Sequence, residues 1–290
     1  MKNTGIDFHL HTTNSDGENT VEELIELAKE EKLKFIALTD HNKFSITEWV
    51  HSDVLDVIPG CEFSCTYEVK AWHDTTEVHV VGLFPHGVNP DEFSSVFQDI
   101  SDGKRNYIEA ILEDLKTRGM FVSMEEVEAA GKVSGNLGRH EIARVLMDKG
   151  YACSMDEAFD RWIGNFSPYY IPATHYIHYA SLEKVVKQIQ KSGGIPILAH
   201  PFGYRMEEAE IEQLIADFKE IAGSVAGMEV YYERYLPNEE KMEFLKEMQK
   251  KYELLPSAAS DRHRVDQPFA SAGDVKLFED MMEKLQFEKL

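Results

Sequence analysis

What the 290-residue chain has little of narrows its class first. Basic residues are scarce, 30 Lys and Arg against 52 Asp and Glu, for a formal net charge of −22. A chain this acidic has no sequence-independent hold on nucleic-acid backbone or an anionic membrane, so duplex nucleic acid and membrane are excluded as partners. An anionic substrate needs locally gathered positive charge. No stretch approaches 18 uninterrupted apolar residues, and no basic flank precedes a long apolar run at the N-terminus, so neither a membrane span nor a secretory leader is expected. Cys61, Cys65 and Cys153 cannot all pair, and a lone C-x3-C lacks the second half of a zinc ribbon, which makes free thiols in a reducing, cytoplasmic compartment the expectation. Neither G-x-x-x-x-G-K-S/T nor G-x-S-x-G occurs, so P-loop and serine-hydrolase chemistry are unsupported.

What is present is ordinary globular composition, 43% hydrophobic and 28% charged, which excludes wholesale disorder and a fibrous class. Residues 6 to 11 read as a strand. A helix follows from Thr20, because Val21, Leu24, Ile25, Leu27 and Ala28 recur at helical spacing behind a Thr20/Glu23 capping box. Phe35 to Leu38 is a short buried strand, completing a βαβ unit with parallel pairing. Similar apolar runs recur at 54–59, 78–84, 195–199, 227–231 and 254–258, with helical patterns at 182–191, 207–221, 239–252 and 275–285. This alternation predicts an α/β fold, a parallel sheet covered by helices. From about 91 to 171 the rhythm breaks into amphipathic helices without a strand, which reads as a helical insertion.

The histidines gather at the ends of these strands. His9 and His11 stand two residues apart, which at strand geometry places both on one side with Asp7; Asp16 follows before Gly17. His41, Glu62, His79 and His200 each fall in or after a separate strand, and Asp261 and His263 follow the last. Parallel strands bring their C-terminal ends to one face, so nine potential ligands would converge there: His9, His11, Asp16, His41, Glu62, His79, His200, Asp261 and His263. Imidazole and carboxylate without thiolate suit Mn, Zn or Fe, and nine ligands exceed one ion's four to six positions, so two or three divalent ions are expected.

Asp7-Phe8-His9-Leu10-His11 through Asp16-Gly17, then Leu38-Thr39-Asp40-His41-Asn42, Gly60-Cys61-Glu62, His79, Ala199-His200-Pro201 and Ser260-Asp261-Arg262-His263 resemble the successive motifs of the PHP (polymerase and histidinol phosphatase) family. The resemblance implies a distorted seven-stranded (β/α) TIM-like barrel at residues 1–90 and 176–290, with 91–175 inserted as a small helical domain capping the substrate. It implies three ion sites: His9, His11, Glu62 and Asp261; Glu62, His79 and His200; Asp16, His41 and His263. It further implies a phosphoesterase in which a bridging water ionises near pH 7 and attacks phosphorus, with Glu62, Asp261 and His200 among the catalytic residues. Asp7 and Asp40 are candidates to orient the ligand imidazoles, Asp40 being equally readable as a turn residue. The insertion is similar to that of the branch acting on 3′,5′-bisphosphonucleosides and short RNA. Arg139 matches a substrate-contacting position there; Glu141 stands where relatives have His, with His140 adjacent. Arg262, like Arg205 and Arg264, follows a metal motif closely enough to reach a phosphate. Glu229, Tyr231 and Tyr232 lie at a strand end, the tyrosines more readily read as packing. His51, His73, His86, His175 and His178 are given no role.

A small phosphorylated metabolite, foremost a nucleotide or short oligonucleotide, is the substrate class that follows. The competing readings are a histidinol-phosphate-type phosphatase; an amidohydrolase acting on a cyclic amide or lactone, although Glu62 stands where those enzymes carry a carboxylated Lys; and a non-catalytic metal- or nucleotide-binding module. Oligomeric state is not legible.

Overall fold

Seven strands follow one another round a single sheet in chain order: β1 (Ile6–Leu10), β2 (Phe35–Leu38), β3 (Asp56–Val69), β4 (Asp74–Leu83), β5 (Ile195–Leu198), β6 (Gly227–Tyr232) and β7 (Leu255–Ala259). The computed structural model describes residues 5–97, 100–134 and 137–288. β1 is joined to the chain just past β7, where Asp261 N donates to His9 O across 3.0 Å and His11 N to Arg262 O across 3.1 Å. The sheet is thereby nearly closed into the α/β barrel that the sequence implied.

Pairing is parallel from β1 to β3 and from β5 to β7, but β4 runs antiparallel to both its neighbours, correcting the expectation of a wholly parallel sheet. The cause is a hairpin. β3 runs on for 14 residues and returns directly through a turn at 70–73, in which His73 takes a φ of 51°; so short a connection can join only antiparallel strands. Glu62 and His79 consequently lie inside long strands, with Ser64 opposite His79.

Helix α1 (Val21–Glu30) begins at the expected capping box: Glu23 N donates to Thr20 Oγ1 and Thr20 N to Glu23 Oε2. Between β4 and Leu182 the described residues form no strand, only an isolated bridge of Ser181 to Thr66, and carry α2 (Ser94–Phe97), α3 (Ile100–Thr117), α4 (Met124–Ser134), α5 (Arg139–Asp148) and α6 (Met155–Ala158). Tyr107, Ile111, Leu115, Val127, Ile142 and Leu146 pack there into an apolar cluster of their own. Helices α7 (Leu182–Lys191), α8 (Glu208–Ala222), α9 (Glu239–Lys251) and α10 (Val275–Glu288) complete the fold. The largest core packs α7, α8 and α9 against β3 to β6, while Phe278 and Met281 of α10 join Ile6, Phe8 and Ile197 in another. Among the described residues no helix is long and apolar enough to cross a membrane.

Candidate metal centre

Alternation along β1 sets His9 and His11 side by side, both fully buried, with ring centroids 5.0 Å apart. After His11 the chain doubles back, Ser15 N and Gly17 N both bonding to Thr12 O, and brings Asp16 Oδ1 to 3.5 Å from His11 Nδ1. Only glycine fits at position 17, where a Cβ would lie 2.3 Å from His11 O. Asp40 ties this loop down, accepting from Thr12 N, Thr12 Oγ1, Ser15 Oγ and Ser45 Oγ. Its carboxylate thus anchors a loop and leaves the imidazoles alone. Asp7 likewise misses the imidazoles it was expected to orient: it accepts from the backbone N–H of His9, Ser260 and Ala270, and burial pushes its carboxyl up to about 6.

Five imidazoles surround the buried Glu62 carboxylate. His79 Nδ1 and His200 Nε2 lie 2.7 and 2.9 Å from Oε1; His41 Nδ1, His9 Nε2 and His11 Nε2 lie 2.9, 3.2 and 3.3 Å from Oε2. Asp261 Oδ1 stands 3.2 Å from His11 Nε2, and its other oxygen accepts from Tyr232 OH at 2.7 Å. Asp16 gathers His41 at 3.6 Å, His263 at 3.3 Å and, from the insertion, His140 at 2.9 Å. Two members, His200 (φ 25°) and Asp261 (φ 52°), hold a backbone conformation that costs a non-glycine residue about 1–3 kcal/mol. Such strain is typical of sites where neighbours over-determine a geometry.

All nine expected ligands therefore come together. Their ligand atoms fall within 4.8 Å of one another in overlapping groups: His11, Asp16, His41 and His263; His9, Glu62 and His200; His9, His11 and Asp261; His41, Glu62 and His79. The implied three-way division is not reproduced group for group, since His41 stands with Glu62 as well as with Asp16.

The donor set fits divalent cations. His9 Nε2 and His11 Nε2 are buried and, like Glu62 Oε2, make no well-aligned hydrogen bond, a cost that coordination would remove. The charges agree. Burial opposes ionisation of Glu62, yet the imidazoles of His41, His79 and His9 hold its carboxyl well below the usual range. Burial likewise opposes imidazolium, but Asp261 and Glu62 push His11, and Glu62 and Glu77 push His79, up to about 10. The carboxylates call for positive charge in their midst.

Two pockets open beside the cluster. One, about 160 Å³, lies between Asp16, His41 and the insertion residues Lys104, Tyr107, Arg139 and His140; Glu141 lines it too. The other, about 280 Å³, has Arg139, Asn165, Tyr170, Arg205 and His200 among its lining. Glu77, His79 and Arg139 line both. Glu77 Oε1 lies 3.1 Å from His79 Nε2; burial opposes its charge, but His79 and Arg139 hold its carboxyl at about 2.

Arg262 needs correcting. Its guanidinium, expected to reach a phosphate, donates to Asn19 Oδ1, Val265 O and Gln267 O in a buried position and lines neither pocket. Arg264 is spent on Asp156 and Asp266. Sequence reasoning passed over Glu77 and Asn165 and left Glu229 weakly placed. Glu77 carried a usable signal, since it precedes His79 by two and so shares its face of the strand.

A family model described as PHP domain matches residues 7–286. The chain is 32% identical over 235 residues to the 3′,5′-nucleoside bisphosphate phosphatase of Chromobacterium violaceum, covering 78% of this chain and 76% of that one. It is 29% identical over 266 residues to the 5′-3′ exoribonuclease Rnm of Escherichia coli, covering 89% and 85%. In fold it is similar to a Chromobacterium violaceum amidohydrolase structure, with TM-score 0.76 and 24% identity over 97% of this chain and 96% of that one. It is also similar to the structure of a metal-dependent phosphoesterase from Bifidobacterium adolescentis, with TM-score 0.73 and 22% identity at the same coverage.

Proposed function

The chain belongs to the PHP family and is a metal-dependent phosphoesterase, and from that premise we propose that its substrate is a phosphate ester of a nucleotide, either a 3′,5′-bisphosphonucleoside or a short oligonucleotide. The observation that carries the reading is the Glu62 carboxylate, ringed by five imidazoles beside pockets that hold cationic and aromatic side chains. The names of the Chromobacterium and Escherichia relatives support the same substrate class.

In this reading His9, His11, Glu62 and Asp261 hold one divalent ion, Glu62, His79 and His200 a second, and Asp16, His41 and His263 a third, the metals being Mn, Zn or Fe. Ions bound there would supply Lewis acidity toward the phosphoryl oxygens and would lower the pKa of a bound water toward neutrality. The remaining work belongs to the side chains. Residues 91–175 cap the site, and Arg139 and His140 bind substrate, Arg139 with a planar guanidinium suited to two phosphate oxygens. Arg205 offers a second cation across the second pocket, and Tyr107, Phe159 and Tyr170 offer ring faces to a base. The free thiols of Cys61, Cys65 and Cys153 suit the cytoplasmic compartment included in this reading.

The test is a release assay. Mn-loaded protein should free phosphate from a 3′,5′-bisphosphonucleoside or mononucleotide from a 5′-phosphorylated oligoribonucleotide. Turnover of histidinol phosphate or of a cyclic amide, with neither nucleotide touched, would overturn it.

A further inference from the structure

Glu229 sits in β6 where the pairing with β7 slips, Glu229 facing Ser257 and Tyr231 facing Ala258, so one residue bulges between them. The side chain is 1% exposed, and its two oxygens go to two different members of the cluster. Oε1 lies 2.6 Å from His9 Nδ1; Oε2 accepts the backbone N–H of His200, also at 2.6 Å. Nothing in the proposed metal set includes it.

We propose that Glu229 is a positioning residue that prepares His9 and His200 together for metal, an inference that rests on the metal-binding reading above. A carboxylate can only accept, so its contact with Nδ1 keeps a ring proton of His9 there and makes Nε2, which faces Glu62 and Asp261, the nitrogen that gives up its proton to a metal ion. For His200 the action is on the backbone. That residue holds φ 25°, and three contacts fix it: Glu229 on its N–H, and Gly203 N (2.7 Å) and Tyr235 OH (3.3 Å) on its carbonyl. Gly203 also makes room for the ring, because a Cβ there would lie 2.7 Å from His200 Nδ1. Partners of this kind, one step behind a metal ligand, are worth roughly 10- to 100-fold in metal affinity.

Glu229→Gln separates this role from mere filling of space. The amide has the same shape but one acceptor, so it can serve only one of the two donors, and turned toward His200 it drives the His9 proton onto Nε2. Mn2+ titration of metal-free protein by calorimetry should show affinity reduced roughly 10- to 100-fold, with the variant folded by circular dichroism. In protein loaded with diamagnetic Zn2+, two-bond 1H–15N correlation should show the His9 proton on Nδ1 in the parent and displaced in the variant. Should Glu229→Gln not fold, Glu229→Asp, which keeps both acceptors on an arm too short to span both donors, is read in the same way. Parent-like Mn2+ affinity with an unchanged His9 tautomer would overturn the inference. A parent that binds Mn2+ yet cleaves no phosphate ester would instead sink the functional reading and leave Glu229 standing.

Discussion

Arg139 NH1 donates to Asn165 Oδ1 across 2.7 Å, and the Asn165 amide in turn donates to Gly203 O, three residues beyond His200. A side chain of the insertion is thus braced, through one asparagine, on the loop that carries His200 of the candidate metal cluster. Arg139→Ala should raise KM for a 3′,5′-bisphosphonucleoside roughly 10- to 100-fold, the worth of a charge-assisted hydrogen bond to phosphate. Metal content by elemental analysis should stay at the parent level. Asn165→Ala should move KM the same way by a smaller factor, since it removes the brace and keeps the cation.

Glu62→Ala should lower turnover by more than ~100-fold, beyond the loss that outer partners of a metal site cause. It should lower metal content as well, because the variant takes away the carboxylate that five imidazoles share. Elemental analysis beside kcat tells loss of metal from loss of chemistry, and His9→Ala should behave alike.

Divalent metal should stabilise the fold. Mn2+ at 100 times its Kd contributes about 2.7 kcal/mol for a single site, which for a chain of this size is roughly 4 °C in Tm. Differential scanning calorimetry of chelator-treated and reloaded protein measures this directly. An unchanged Tm would mean that the cluster binds no ion of that kind.

The three thiols should react unequally. Cys61 and Cys65 are fully buried, and burial pushes both thiols well above their usual range. Cys153 is exposed, but its hydrogen bond to Glu157 also pushes its thiol up. Iodoacetamide should therefore label one cysteine of the native protein, and Cys153 should react more slowly at pH 8 than free cysteine does. Peptide mass mapping before and after denaturation checks both statements.

Gly17→Ala should cost about 1–3 kcal/mol, as overpacking does, since the new methyl meets the His11 backbone. Chemical denaturation gives the cost, and a fall in metal content would show that Asp16 moved with the loop.

Much of this was legible in the chain. H-x-H on a strand, a capping box eleven residues later and a second short apolar run specify β1, α1 and β2, because period, cap and length all agree. The direction of β4 was not. Alternating strands and helices suggested parallel pairing throughout, although Phe63, Cys65, Tyr67 and Val69 alternate as a continuing strand must, and all are buried. That period-2 run was the hairpin's signature. Arg262 shows a different limit: closeness to a metal motif fixes where a backbone passes but not which way a guanidinium turns, and Asn19 with two carbonyls decided that. For Glu229 the signal was its place at a strand end, the same pattern that had already pointed to Glu62.

The insertion folds around apolar side chains of its own and lends the first pocket half of its lining, Lys104, Arg139 and His140 among it. A change in that segment would therefore alter what the pockets admit while leaving the ligand cluster on the barrel in place.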